Sequence, residues 1–291
     1  MTAARPETLD ELSPEARALL EGAIDLHAHA SPDPFAERRL DARELVAAAR
    51  DARMAAVVLK SHEYPTQPLA WALAAEFEGI AIVGAVALDH GVGGLNPDAL
   101  EVALRIGTRV VWMPTFDSAW SRERFGRWNS KAAPMTVLAA DGALLPVCHE
   151  LLDLVAAHDA TLCTGHLGPE ETLAIVEAAR GRGIRTIVTH ATAFFLPLEV
   201  QQAAASRGAY IEQCGNVLFR ESPAELVAAI ERDVRAVGVE HVVLSTDLGQ
   251  AANPPPAVGF GAWIQHFLDA GFDANDVRRM VNGQPREALG W

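Results

Sequence analysis

Two histidines one residue apart, His27 and His29, close the short apolar run Ile24-Asp25-Leu26-His27-Ala28-His29. In a β-strand residues i and i+2 point to the same side, so both imidazoles project together. Histidine is the commonest metal ligand, and two neutral imidazoles on one side begin a metal site. Taken alone, the pair fits a chance occurrence on a solvated turn better than a metal site. Other residues able to share in such chemistry recur in one context, the end of a short apolar run. Lys60 and His62 end one run, Asp89 and His90 the next, and His166 and His190 close two more. Asp247 ends the last, in Ser245-Thr246-Asp247-Leu248-Gly249.

The elements that must position these groups follow from an alternation that repeats to the C-terminus. Apolar runs at 23–29, 55–62, 81–90, 109–116, 160–166, 185–192, 209–215 and 241–247 read as strands. Between them, 41–54, 67–78, 97–107, 169–180, 198–208 and 223–238 carry helical spacing, and several close on glycine. A leader helix precedes the first strand, with Ser13 as N-cap and Pro14 at the first helical position. Alternation of this kind means parallel strands with right-handed crossovers. Eight units predict a (β/α)8 TIM-like barrel, with a doubly wound open sheet as the structural alternative. In such a barrel all C-terminal strand ends meet at one mouth, where active sites sit. Six of the ten histidines would gather there. His149, His158 and His266 fall in helical patterns, and His241 opens the last strand at the opposite face.

The region 117–146, after the fourth strand, does not run straight into a helix. Its first part, 120–128, is aromatic and basic, and 135–145 carries Asp141-Gly142 between apolar runs, a β-hairpin signal. This inserted segment predicts a lid over the mouth or an interface. Trp120, Phe125, Trp128, Phe194, Phe195 and Phe219, with Arg122, Arg124 and Arg127, suggest a small, partly apolar substrate carrying a carboxylate. Lys60, His62 and His90 are candidates to stabilise negative charge on the attacked group.

The chain has a net charge of −14 and a sequence pI of about 5.1. That balance disfavours nucleic acid and anionic membrane surfaces as partners. No apolar run is long enough to span a bilayer. The N-terminus shows no secretory pattern, and three widely spaced cysteines predict reduced thiols in a cytoplasmic protein. Residues 1–291 are expected to form one barrel domain, with 1–22 as leader and 117–146 as insertion; a homo-oligomer is compatible with all of this. Gly-x-Ser-x-Gly is absent, and Gly91-Val92-Gly93-Gly94 lacks dinucleotide spacing.

The opening His-x-His, the histidines after strands five and six, and the Thr246-Asp247 pair after strand eight resemble the amidohydrolase superfamily. Residues Val281-Asn282-Gly283-Gln284-Pro285 to Gly290 look like that superfamily's closing helix. The resemblance implies a metal set of His27, His29, His166, His190 and Asp247, with Asp247 also moving a proton of the activated water. It departs at strand four, where Val111-Trp112-Met113-Pro114-Thr115 offers no bridging lysine or glutamate. One ion is therefore favoured over two, leaving His190 free to carry a proton. Zinc is the first expectation, and manganese or iron suits the same ligands. Such an ion lowers the pKa of water to about 7. The implied activity is hydrolysis of an amide, cyclic amide, lactone or ester, with Asp247, His190, Lys60 and His62 as the acting groups. A decarboxylase of the same superfamily is the nearest alternative. A phosphoesterase with an early His-x-His comes third, because such enzymes end in Asp-x-His and this chain reads Asp247-Leu248-Gly249. A non-catalytic metal-binding barrel is the remaining alternative.

Overall fold

The structure, a computed structural model, describes residues 5–126 and 130–291. Among these, eight strands pair in sequence order and all in parallel. They are β1 (Ile24–His29), β2 (Ala56–Lys60), β3 (Ala81–Ala87), β4 (Val110–Trp112), β5 (Thr161–Cys163), β6 (Thr186–Val188), β7 (Tyr210–Cys214) and β8 (Val242–Ser245). The Asp247 amide donates to His27 O and the His29 amide to Leu248 O, both at 2.8 Å, joining the last strand to the first. The sheet is therefore a (β/α)8 barrel and not an open one.

Helices α1 (Pro14–Leu20), α2 (Ala42–Asp51), α3 (Gln67–Ala74), α4 (Pro97–Arg105), α5 (Ala119–Phe125) and α6 (Pro146–Ala157) come first along the chain. They are followed by α7 (Pro169–Arg180), α8 (Leu198–Ala205), α9 (Ala224–Val237), α10 (Pro256–Asp269), α11 (Ala274–Arg278) and α12 (Gln284–Leu289). The leader helix begins as its sequence predicts, with the Ser13 hydroxyl accepting from the Ala16 amide at 3.1 Å. No helix among the described residues is long and apolar enough to cross a membrane.

The strands are shorter than the apolar runs suggest. His62, Asp89, His90, His166, His190 and Asp247 lie just beyond the ladder rather than in it. The backbone leaves the sheet to turn over the mouth, and at His190 (φ 27°) and Asp247 (φ 49°) it enters the left-handed region. For residues with a Cβ this conformation costs on the order of 1–3 kcal/mol and persists only where neighbours enforce it.

Strand alternation splits the apolar residues into two layers. Val58, Trp112, Cys163, Ile187 and Val243 fill the barrel interior, which Ala288 and Leu289 of α12 close from below. Val57 and Leu59 face outward onto α2 and α3. On β1 the phase changes partway. Ile24 and Leu26 belong to the interior, yet Ala28 packs outward with Leu45, Val46 and Leu59. The register explains this: Asp25 pairs with Val57 but Ala28 with Leu59, so β1 has one residue more than β2 over that span. This bulge turns His27 and His29 inward, where uninterrupted alternation from Ile24 would send them under the helices.

The insertion is mixed. Residues Ala119–Phe125, in its aromatic, basic part, form α5, and the expected hairpin survives as a single antiparallel bridge, Leu138 to Leu144, with the Ala139 amide donating to Ala143 O at 2.8 Å. On the far side of the barrel, α10 is pinned to β7 by fully buried Trp263, whose indole N–H donates to Gln213 O at 3.3 Å. A Cβ on Gly215 would stand 2.9 Å from Trp263, so ring and strand fit closely. Trp263→Ala is expected to cost about 3–5 kcal/mol, read as a lowered denaturant midpoint with an unchanged slope.

Candidate metal centre

Inward-facing positions of β1, β2 and β7 place His27, Lys60 and Glu212 beside one another at the top of the packed interior. Nδ1 of His27 lies 3.2 Å from Glu212 Oε2, and Lys60 Nζ lies 2.9 Å from His27 Nε2. A carboxylate accepts only, so Nδ1 carries the proton and Nε2 presents its lone pair toward the mouth. Lys60 also stands 5.0 Å from the Trp112 ring centre, and burial pulls its pKa down. Burial alone would push Glu212 up, but the adjoining His27 imidazole and its hydrogen bond bring it down to about 2. Glu212 also accepts from the His190 amide at 3.1 Å, which helps hold the left-handed backbone there.

One layer higher, Asp247 Oδ1 lies 3.0 Å from His29 Nε2 and 3.3 Å from His27 Nε2, while its Oδ2 accepts from Asn216 Nδ2 at 2.8 Å. Burial raises the pKa of Asp247, but His27 and the hydrogen bond from His29 hold it well below the usual carboxylate range. One donor atom each from His27, His29 and Asp247 lie within 4.8 Å of one another. Two imidazoles and a carboxylate oxygen at this spacing can share one ion, leaving further positions open. Buried atoms nearby also lack partners: His29 Nδ1, His190 Nδ1 and Asn216 Oδ1. The residues fit a divalent cation, and Lys60 must withdraw from His27 Nε2 when one binds. A second group, His27, Glu212 and Cys214, shares His27 with the first and adjoins the ring nitrogen already committed to Glu212.

His166 and His190 fall outside the converging group. Their rings are 4.8 Å apart, with His190 5.5 Å from His27, and both lie against Phe194 at about 4 Å. Burial drives His166 well below its ordinary value and His190 down to about 3, so both stand neutral. His62 stacks on His29 at 5.1 Å. Its Nδ1 is 2.6 Å from Thr115 Oγ1, whose hydroxyl donates to buried Asp89. Asp89 in turn accepts from the Thr115 and Asp117 amides at 2.8 and 3.0 Å. This chain keeps the proton on Nδ1 of His62 and turns its Nε2 outward as an acceptor.

Above these groups opens a cavity of about 260 Å³. Its apolar wall includes Phe116, Phe125 and Phe194, and its polar lining includes Lys60, Asp247, Arg38 and Arg220. Of the residues expected at the substrate, Phe194 is in place. Arg122 is not: it pairs with Asp117 and donates to Ala132 O at 2.5 Å, holding the insertion together, while Asp117 accepts from the His90 amide at 2.8 Å and so joins it to the loop after β3. Arg124 stacks 3.1 Å over Trp120. Trp120 lies against Gly168 and donates to Phe194 O at 3.1 Å, tying α5 to the loop after β6. His90 Nε2 bonds Ala133 O at 2.9 Å and lines a neighbouring cavity. Arg127 and Trp128 lie outside the described residues. Sequence reasoning passed over Glu212, Asn216, Arg38 and Arg220. For Glu212 the signal was a carboxylate in mid-strand, inside Tyr210-Ile211-Glu212-Gln213-Cys214.

Because Glu212 fixes the tautomer of His27, Glu212→Gln is expected to weaken divalent-ion affinity by about 10–100-fold. Competition against a chromophoric chelator measures this, and unchanged affinity would show the contact to be incidental.

The fold and the cluster at its mouth define a parallel (β/α)8 barrel with a candidate metal centre at the C-terminal ends of its strands. Solved structures agree on the fold. An amidohydrolase from Pseudomonas aeruginosa superposes with a TM-score of 0.67 at 13% identity, over 96% of this chain and 98% of the other. The lactonase Lmo2620 from Listeria monocytogenes gives 0.61 at 14%, over 93% and 95%. A 2,6-dihydroxybenzoate decarboxylase in complex with 2,6-dihydroxybenzoate gives 0.59 at 12%, over 93% and 100%. No curated protein matches the sequence. Residues 22–212 match the Family of unknown function (DUF6282), and the chain belongs to that family.

Proposed function

We infer that this protein is a metal-dependent hydrolase acting on an amide, cyclic amide, lactone or ester of a small molecule. The observation that carries this reading is the convergence of His27, His29 and Asp247 donor atoms within 4.8 Å at the floor of a cavity. A divalent ion held by these three, with zinc the first choice and manganese or iron next, would supply Lewis acidity and activate water. A single ion suits the geometry, since the second donor group reuses His27.

The chain's own groups divide the remaining work. Asp247 accepts a proton at its carboxylate, with Asn216 holding its other oxygen, and returns it to the leaving group. Neutral His166 and His190, stacked against Phe194, orient the scissile group from the opposite side. Lys60 and His62 face charge developing on the attacked oxygen. The phenylalanine wall keeps bulk water off the reacting atoms.

Two measurements test this. Elemental analysis is expected to find about one divalent ion per chain, and none, or two, would overturn the single-ion site. A screen of lactones, cyclic amides, amides and esters on ion-replete protein is expected to find turnover that Asp247→Asn abolishes. Release of carbon dioxide without hydrolysis would instead make it a decarboxylase.

A further inference from the structure

We propose that the substrate carries a carboxylate, read by Arg38 and Arg220 at the rim of the cavity; this rests on the reading of that cavity as the substrate site. The chain as a whole is acidic at −14, yet the cavity lining reverses the sign. Three cations, Arg38, Lys60 and Arg220, face one carboxylate, Asp247, which is committed to the candidate ion. A cleft of one sign concentrates ligands of the other.

Arg38 is a built feature. Its Nε and Nη2 both donate to Asp33 Oδ2, at 2.8 and 2.6 Å, and the pair is nearly buried, with side chains 7% and 5% exposed. Asp33 is itself fixed, its Oδ1 accepting from the Phe35 and Ala36 amides at 2.9 and 2.8 Å. Asp33 thus sits behind the guanidinium while Arg38 lines the cavity. The loop that carries Arg38 is zipped to the loop after β8: Arg38 bridges Gln250, the Arg39 amide donates to Gly249 O at 2.7 Å, and Gln250 Nε2 donates to Asp247 O at 2.8 Å. The guanidinium is therefore held at a set distance from Asp247. Arg220, on the loop after β7, is exposed and has no side-chain partner among the described residues. A planar guanidinium fork matches a carboxylate. The phenylalanine wall between rim and floor suits a flat, apolar body. The ligand class is a small aromatic or unsaturated carboxylic acid derivative.

The test uses benzoate and its neutral isostere benzamide as probes. Each is titrated calorimetrically into the full chain as purified and again after chelator treatment, with ion content measured on the same samples. Benzoate is expected to bind at least about tenfold more tightly than benzamide in both forms. Arg220→Met, which disturbs no packing, is expected to remove most of that preference while leaving benzamide binding unchanged. Arg38→Lys, which keeps the charge beside Asp33 but loses the fork, is expected to reduce it. Equal binding of the two probes overturns the proposal, as does a preference that survives both variants. A preference that vanishes with the ion assigns the carboxylate to the metal, and tighter binding of phenyl phosphate assigns the rim to phosphate; either overturns it. A chain that holds no divalent ion as purified and takes none up when it is supplied, yet still prefers benzoate, keeps this inference and removes the hydrolase reading, so the two fail separately.

Discussion

Asp247→Ala is expected to cut bound divalent ion from about one per chain to less than about a tenth, a loss of at least about a hundredfold in affinity. Removal of a residue that merely supports a ligand costs about 10–100-fold. Asp247 is instead a donor, and the only anionic one in the converging group. Its loss also strips the buried ammonium of Lys60 of the largest influence sustaining its charge. The ion-free variant should therefore be less stable than the ion-free parent. Elemental analysis after dialysis against a weak chelator, paired with thermal unfolding, measures both effects. A variant that keeps one tightly held ion would place the metal elsewhere.

Gly249→Ala is expected to destabilise the fold by about 3 kcal/mol or more, lowering the melting temperature by on the order of 5–10 °C. Gly249 has φ 139°, and a Cβ there would stand 2.1 Å from the carbonyl oxygen of His29. That neighbour is backbone and is locked into the β1–β8 junction by the His29 amide bond to Leu248 O. Nothing can swing aside, so the junction itself must open. Gly79→Ala is the control, because Gly79 has φ 82° with nothing within 4 Å of the added carbon. It loses only what the backbone conformation costs, about 1–2 kcal/mol. Equal losses at the two positions would remove the close-approach argument.

The barrel was legible in the sequence because each unit repeats the same physical pattern, an apolar run, a turn, then a helix, several of them closing on glycine. The site was legible through position: polar groups at the ends of apolar runs have one place to go in a closed barrel. What stayed hidden depended on phase or on distant partners. Glu212 and Gln213 stand side by side in β7, and only the register with Val243 shows which one enters the barrel. Arg122 has the right chemistry for a substrate carboxylate, but Asp117 takes it. Arg38 looks like any surface arginine until the loop after β8 folds against it. The strand ends were read too long because apolar character continues past the last ladder bond, as in Ala87-Leu88 and Met113.

The extra residue between Asp25 and Ala28 makes the centre sensitive to parity rather than to length. Leu26 and His27 together oppose Val58, so a variant lacking Leu26 would set His27 opposite Val58, Ala28 opposite Leu59 and His29 opposite Lys60, and both imidazoles would still face the interior. A slip of β1 against β2 that smoothed the bulge at full length would instead turn both outward beneath α2 and α3. When related chains are sought, a one-residue gap at this place is thus compatible with an intact centre, and the pairing of Ala28 with Leu59 is the feature that must persist.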